Sequence, residues 1–206
     1  MRTERTVTKH LFTGLFLLAL ALAMPARAAE PPVDRALAGQ TVTTEVPGGQ
    51  QTREYASNGR LIYETIEKTK RVDGRQVVEA IEREWHDNGA PIRDQTFVAG
   101  REMKAAIWYM NGKLKETRID QSLRDPDGPA GTYVERYSDL GILQSSGVYQ
   151  GPYRPVGVHR SYDETGTLVR ETTYSATGVK LSEKNYSPTG TPSTTRYLPD
   201  GSRKLD

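Results

Sequence analysis

An aromatic residue followed four positions later by glycine recurs along the chain after residue 50. Fourteen aromatic residues lie in that region and nine of them have this glycine, whereas 19 glycines in 206 residues predict about one by chance. Repetition of one short unit favours a repeat fold in which each unit packs on its neighbours. The pairs are Tyr55/Gly59, Trp85/Gly89, Trp108/Gly112, Tyr137/Gly141, Tyr153/Gly157, Tyr162/Gly166, Tyr174/Gly178, Tyr186/Gly190 and Tyr197/Gly201.

Each pair is typical of a strand end followed by a hairpin turn. Asparagine or aspartate precedes the glycine at Asn58, Asn88, Asn111 and Asp200, and such dipeptides favour two-residue turns in which both residues have positive φ. The flanking segments are rich in Thr, Val, Ile and Tyr, as strands are. The sequence therefore predicts an all-β fold, an elongated antiparallel meander of β-hairpins with about a dozen strands.

The spacing of the pairs varies along the chain. Trp85, Phe97 and Trp108 stand twelve and eleven residues apart, which indicates a hairpin unit of 23 residues. Longer separations elsewhere are expected to be absorbed by longer loops at residues 68–76 and 121–131. The segment Arg75–Asn88 also fits a helix, because its apolar residues recur every four positions, but the Trp85/Gly89 pair favours a strand.

The aromatic residues are predicted to form the structural spine of the fold. If successive hairpins pack in register, each ring lies beside the ring of the next unit. A half-buried tyrosine then stabilises the fold by about 2 to 3 kcal/mol. Only 35% of the chain is apolar and its mean hydropathy is −0.65, which argues against a thick two-layer core.

The amino terminus has the three parts of an export signal. A basic start precedes the uncharged apolar run Leu11–Met24, and Ala26-Arg27-Ala28 is a small-x-small cleavage site. The apolar run of fourteen residues is shorter than the roughly 20 that a membrane span requires. We therefore expect a signal peptide at residues 1–28 and a periplasmic or secreted protein that is not inserted in the membrane.

The predicted export signal divides the chain into three parts. Residues 29–51 are rich in proline and glycine and are interpreted as a linker, within which Thr41–Val46 is a candidate isolated strand that caps the first repeat. Residues 52–206 form the predicted β-hairpin repeat domain. The chain contains no cysteine, so disulfides and lipid attachment at a cysteine are excluded.

Charge and residue types argue against several function classes. Without residues 1–28 the chain has 24 basic and 25 acidic residues, a net charge of −1, which gives no reason to expect nucleic acid binding. His86 and His159 are the only histidines beyond the signal, and hydrolase motifs are absent. Asp163 and Glu164 are adjacent and should point to opposite faces of a strand. We expect no enzyme activity, cofactor or metal site.

The segments Tyr55–Leu61 and Trp108–Leu114 share the pattern aromatic-x-x-Asn-Gly-x-Leu. This pattern resembles the bacterial variant of the MORN repeat, and the 23-residue unit agrees with it over most of residues 52–206. The resemblance implies an antitoxin or immunity partner of a secreted bacterial toxin. The paired glycines of eukaryotic-type MORN units are absent, which argues against their lipid-scaffolding roles. The carboxy-terminal third also resembles the tyrosine-aspartate repeats of large toxin shells, although the chain is too short to form one.

Two functions are consistent with these features. The first is a non-enzymatic repeat protein that presents a long charged face to a protein partner, either a toxin or an envelope component. The second is a glycan- or cell-wall-binding module in which several rings are exposed in one row and stack on sugars. A hydrolase would require a cleft with converging carboxylates.

Overall fold

The computed structural model describes residues 30–72, 74–187 and 190–204. In this part of the chain thirteen strands form one antiparallel sheet, and each strand pairs with the strands before and after it in sequence. The predicted all-β meander of hairpins is confirmed. The strands are β1 Thr41–Val46, β2 Gly49–Tyr55, β3 Leu61–Val72, β4 Arg75–Trp85, β5 Pro91–Val98, β6 Arg101–Trp108, β7 Leu114–Asp120, β8 Thr132–Tyr137, β9 Leu143–Gln150, β10 Arg154–Tyr162, β11 Leu168–Tyr174, β12 Lys180–Asn185 and β13 Ser193–Arg196.

Two short helices accompany the sheet. A single 3-10 turn, Arg35–Leu37, precedes β1, and its N-cap Asp34 accepts a hydrogen bond from the backbone N–H of Ala36 at 2.9 Å. The helix α1, Gln121–Arg124, follows β7 and is capped in the same way by Asp120. The predicted signal peptide lies outside the described residues. The predicted linker contains the expected strand β1 and the start of β2. β1 is not isolated, because it pairs with β2 along its length, so the sheet begins at Thr41.

Seven of the aromatic/glycine pairs form the same three-residue loop. In the first, Gly59 N–H donates to the Ala56 carbonyl at 2.9 Å and Ala56 N–H donates to the Arg60 carbonyl at 2.8 Å. This is a type I turn followed by a glycine in the left-handed region. The loops follow Tyr55, Trp85, Trp108, Tyr137, Tyr162, Tyr174 and Tyr197.

The expectation of two-residue turns with two positive φ angles is wrong for these loops. Gly59 has φ of 80°, but Ala99 is the only described non-glycine residue with positive φ. Asn58 has a different role, because its Oδ1 accepts a hydrogen bond from the backbone N–H of Arg60 at 2.9 Å. A two-residue turn with two positive φ angles does occur, at Ala99-Gly100 on the opposite edge of the sheet.

The four later loop glycines, Gly141, Gly166, Gly178 and Gly201, have the same geometry, so the turn type predicted for Asp200-Gly201 is wrong as well. Each of them has φ between 82° and 85°, whereas the residue before it does not have positive φ. Each glycine N–H donates to the carbonyl three residues earlier, as in the first loop. These glycines are therefore the last residue of a three-residue loop and not the second residue of a two-residue turn.

The predicted loop at residues 68–76 is also wrong, and the extra length lies in longer strands. β3 continues to Val72 and β4 begins at Arg75, so that the two strands have twelve and eleven residues. The strand assignment for Arg75–Trp85 is confirmed. The longer connection at residues 121–131 is confirmed as well, and it contains α1.

Successive loops contact each other along the edge of the sheet. The side-chain amide of Asn58 donates to the Asp87 carbonyl at 2.9 Å, and the amide of Asn111 donates to the Asp139 carbonyl at 2.8 Å. A Cβ added to Gly89 would lie 2.5 Å from the Arg60 guanidinium. Glycine at this position therefore allows both the turn and the close approach of one loop to the next.

Side-chain alternation and strand register divide the sheet into two faces. We call front face the face that carries Tyr55, Trp85, Trp108, Tyr137 and Tyr162, and back face the opposite one. Tyr174 and Tyr197 lie on the back face, because their loops reverse the chain at the other edge of the sheet.

The predicted spine is buried in its first half only. Tyr55, Trp85 and Trp108 are less than 10% exposed, whereas the later repeat tyrosines are half-buried, apart from Tyr153, which is exposed. Tyr55 and Trp85 form a cluster with Leu61, which lies on the strand between them. The expected ring-on-ring contacts are not formed, since the two ring contacts among the described residues pair a histidine with a tyrosine. An aliphatic side chain of the intervening strand thus replaces the direct stack.

The left-handed glycine of each loop should be individually important for stability. Gly112 has φ of 76° and open space around its missing Cβ, so Gly112→Ala introduces backbone strain without a steric clash. We expect it to lower the free energy of unfolding by about 1 to 2 kcal/mol in urea denaturation. Gly190→Ala is the matched control, because Gly190 lacks positive φ, and its effect should be within about 0.5 kcal/mol. Equal effects of the two substitutions would contradict this account of the loops.

Candidate interaction surface

A network of ion pairs crosses the front face from β2 to β5. Glu64 is 6% exposed and accepts hydrogen bonds from Arg53 Nε at 3.0 Å, Gln51 Nε2 at 2.8 Å and Arg83 Nη1 at 2.9 Å. Arg83 also pairs with Asp94 at 3.2 Å. A buried carboxylate is tolerated only when its charge is compensated, and here the two neighbouring strands each supply one guanidinium.

A second row of charges crosses the back face from β7 to β9. Glu116 pairs with Arg118 at 3.2 Å and with Arg136 at 2.8 Å. Arg136 also donates to the Tyr149 hydroxyl at 3.3 Å, with its guanidinium 5.3 Å from the centre of the Tyr149 ring. Because charges of opposite sign alternate, this face is polar without a strong field of one sign.

The back-face row continues into an aromatic cluster around His159. The His159 ring lies 4.8 Å from the Tyr149 ring and 5.1 Å from the Tyr174 ring, edge to face with both. Its Nε2 lies 2.8 Å from the Val148 carbonyl oxygen. A Cβ on Gly147 would come within 2.4 Å of the imidazole, so only glycine leaves room for the ring. Burial lowers the pKa of His159.

The front face also has a cavity of about 310 Å³ between β7 and β8, which we call the Glu135 trough. The hydroxyls of Tyr133 and Tyr137 donate to the Glu135 carboxylate at 3.1 and 2.6 Å, and the Thr117 hydroxyl lies 3.4 Å from it. Burial, together with the hydrogen bond to Glu135, raises the pKa of Tyr137. The lining residues are Leu114, Thr117, Ile119, Arg124, Tyr133, Glu135 and Tyr137.

Arg124 covers one end of the Glu135 trough. Its guanidinium lies 3.8 Å from the centre of the Tyr133 ring, a cation–π contact that anchors the segment after β7 on the front face. Burial also raises the pKa of Tyr133. The trough therefore combines a carboxylate, aromatic rings and apolar side chains, which is a chemical combination suited to binding a cation or a sugar.

Two of the predicted aromatic/glycine pairs depart from the repeat. Tyr153 is 86% exposed in the turn after β9, and Gly157 lies inside β10 with φ of 68°, beside Pro129. Tyr186 follows β12, but Gly190 does not have positive φ. The other seven pairs lie where each strand meets its loop.

The structure does not bring the seven loop glycines together in one site. Five of them are spread along the edge of the sheet where even-numbered strands end, and two lie at the opposite edge. The first group is Gly59, Gly89, Gly112, Gly141 and Gly166, and the second is Gly178 and Gly201. They are structural positions that set the turns, and the candidate interaction surfaces described above lie on the strands between them.

The close packing of loop glycines against a neighbouring unit is not uniform. A Cβ added to Gly178 would lie 2.8 Å from Arg154 Cγ, which is too close for any side chain without a shift of the arginine. The corresponding distances are 3.4 Å for Gly166, to Ile142, and 3.7 Å for Gly141, to Lys113, both ordinary contacts. Around Gly201 no atom of the described residues lies within 4 Å. At these last three positions glycine is therefore required by the backbone conformation alone.

Glu135 and Tyr133 were not among the predicted functional residues. Both precede Tyr137 in β8, at alternate positions, so that all three side chains lie on the front face. The pattern Tyr-x-Glu-x-Tyr in one strand was the signal that could have identified them. Thr117 and Ser146 lie beside Glu135 because of the register between β7, β8 and β9. That register cannot be read from the sequence of β8 alone.

No protein-family model matches this chain, and no curated protein matches it either. Within residues 30–204, apart from the gaps at 73 and 188–189, no helix has the length and apolar character of a membrane span. In the same described ranges no three His, Asp or Glu side chains converge as metal ligands do.

Burial of His159 should make stability depend on pH in a way that is specific to this residue. Its pKa is lowered in the folded state, so the unfolded chain takes up the proton first as pH falls through about 6.5. The contribution of His159 to the free energy of unfolding is therefore complete above that pH and decreases below it. We expect wild type to lose more thermal stability than His159→Gln between about pH 7.5 and 5.5.

The proton resonances of the imidazole provide a direct check on the His159 prediction. The signal that is missing from the His159→Gln spectrum should titrate with a midpoint below about 6.5. A midpoint at or above that value would show that burial does not lower the pKa.

Proposed function

We propose that this chain is an exported, non-enzymatic β-repeat protein that binds a protein partner through its sheet. The observation that supports this is the single-layer architecture, in which one sheet of thirteen strands runs through the described residues. Ten apolar side chains of this part are buried, and they are spread from β2 to β10 rather than gathered in one core. Long polar faces are thus available to a partner.

The chemistry of these faces suits protein recognition. Tyrosine and arginine dominate binding energy in many protein interfaces, and both are half-exposed in the back-face row of Arg136 and Tyr149. Apolar side chains stand out at neighbouring loops, where Met110 is 69% and Leu140 is 73% exposed. A standard interface needs about 800 Å² on each partner, which a few adjacent strands supply.

We further propose that the partner is a toxin or an envelope component, and that the chain acts as an antitoxin or immunity protein. This proposal rests on the resemblance of its repeats to the bacterial MORN variant and on the expected export signal. Both support a binding protein whose target lies outside the cytoplasm.

Glycan or cell-wall binding is the alternative, and the Glu135 trough is the observation that favours it. Tyrosine rings beside a carboxylate can stack on a sugar and bind its hydroxyls. However, the hydroxyls of Tyr133 and Tyr137 already donate to Glu135, and Arg124 covers one face of the Tyr133 ring. The free ring surface that a sugar requires is therefore reduced.

Crosslinking in the native host tests the proposed function. A photoreactive amino acid would replace one exposed residue on each surface, namely Gln144 on the front face, Glu54 on the back face or Tyr153 in the loop after β9. We expect one of these positions to crosslink to one protein, which then forms a stable complex with the purified chain and is not chemically altered.

The same photoreactive amino acid at Val156, which is fully buried in β10, provides the negative control for crosslinking. Recovery of cell-wall fragments in place of a protein would contradict the proposal and favour glycan binding. Turnover of a bound molecule would contradict the non-enzymatic assignment.

A further inference from the structure

We propose that the Glu135 trough is a receptor for the ammonium group of a lysine side chain on the protein partner. This inference rests on the proposed function, since it names the chemical group that the partner brings to the front face. The carboxylate of Glu135 would bind the charge, and the walls of the trough would hold the aliphatic stem.

Two carboxylates on the front face have different neighbours. Glu64 in β3 is flanked on the neighbouring strands by Arg53 and Arg83, and it pairs with both. Glu135 in β8 is flanked instead by Thr117 and Ser146, which are short and neutral.

No Lys, Arg or His nitrogen of the described residues lies within the 4 Å ion-pair distance of the Glu135 carboxylate. Its donors in the structure are the hydroxyls of Tyr133, Tyr137 and Thr117, all uncharged. A half-buried carboxylate that is hydrogen-bonded but not neutralised attracts a cation strongly. The short neighbours leave the space in which that cation enters.

The space above Glu135 has the shape and lining that a lysine side chain requires. Leu114 and Ile119 on β7 form one apolar wall, and the rings of Tyr133 and Tyr137 form the other. The volume of about 310 Å³ accommodates the four-carbon stem of a lysine. Aromatic rings add cation–π attraction to the charge of the carboxylate.

The hydrogen bonds of Glu135 favour an ammonium over a guanidinium. Oε1 already accepts from Tyr133, and Oε2 accepts from Tyr137 and Thr117. A guanidinium binds best with two parallel hydrogen bonds to both oxygens, whereas an ammonium is a compact charge that needs fewer free positions. Arg124 occupies the Tyr133 end, which assigns the incoming ammonium to the Tyr137 end.

A titration with a minimal probe tests the site without the partner. Amide ¹H–¹⁵N spectra of the full chain would be recorded with increasing n-butylammonium chloride, which carries the stem and charge of lysine. We expect saturable shifts confined to β7 and β8, with a dissociation constant in the millimolar range. The same concentrations of 1-butanol, which lacks the charge, should give no saturable shift.

Two variants examine the role of the carboxylate, and a third examines the space beside it. Glu135→Gln keeps an acceptor for the tyrosine hydroxyls and should weaken n-butylammonium binding at least tenfold. Glu54→Gln removes one exposed back-face carboxylate and should leave the dissociation constant unchanged. Thr117→Lys places an internal ammonium on the strand beside Glu135, as Arg53 stands beside Glu64, and should abolish binding of the probe while Glu135 is retained.

Several results would overturn the proposal. These are the absence of saturable shifts in β7 and β8, equal shifts with 1-butanol, or unchanged probe binding by Glu135→Gln. Saturable binding of an N-acetylglucosamine disaccharide at the same amides, in place of n-butylammonium, would reassign the trough to glycans. The probe titration does not involve the partner. Its failure would therefore overturn the lysine site without deciding the crosslinking test of the proposed function.

Discussion

Each reversal at the repeat loops depends on one backbone conformation, the left-handed φ that glycine adopts without strain at the end of a three-residue loop. The loop is too short to carry the chain to a second layer, so each strand pairs with the one before it. Repetition of this local event produces a single sheet. The aromatic residue that precedes each loop then lies at the strand end, where the next loop approaches.

A sheet without a second layer must stabilise itself within its own plane. In the first half of the chain, Tyr55, Leu61 and Trp85 form a small apolar cluster, and Glu64 is neutralised between two arginines. Hydrogen bonds between successive loops, such as that from Asn58 to Asp87, link one repeat to the next. The later tyrosines are half-buried or, at Tyr153, exposed, so the second half presents more aromatic surface to solvent.

The spacing of aromatic residues and glycines was sufficient to predict the meander, and Thr41–Val46 was identified as a strand, although its pairing with β2 was not predicted. The spacing was not sufficient to predict the turn type, because Asn-Gly is compatible with two loop geometries that differ by one residue. The position of Tyr174 on the back face and the neighbours of Glu135 depend on cross-strand register. Register is set by all the loops together, so no local pattern determines it.

The contrast between Glu64 and Glu135 shows that one repeat architecture can give two carboxylates on the same face very different neighbours. Each strand contacts only its two neighbours, so replacing a flanking arginine by threonine or serine affects one site and leaves the rest of the sheet unchanged. Where both arginines are present, the carboxylate serves the fold. Where both are absent, as at Glu135, the carboxylate is held by hydroxyl groups without an ion pair among the described residues, and under our proposal the free energy of neutralising it is available to a binding partner.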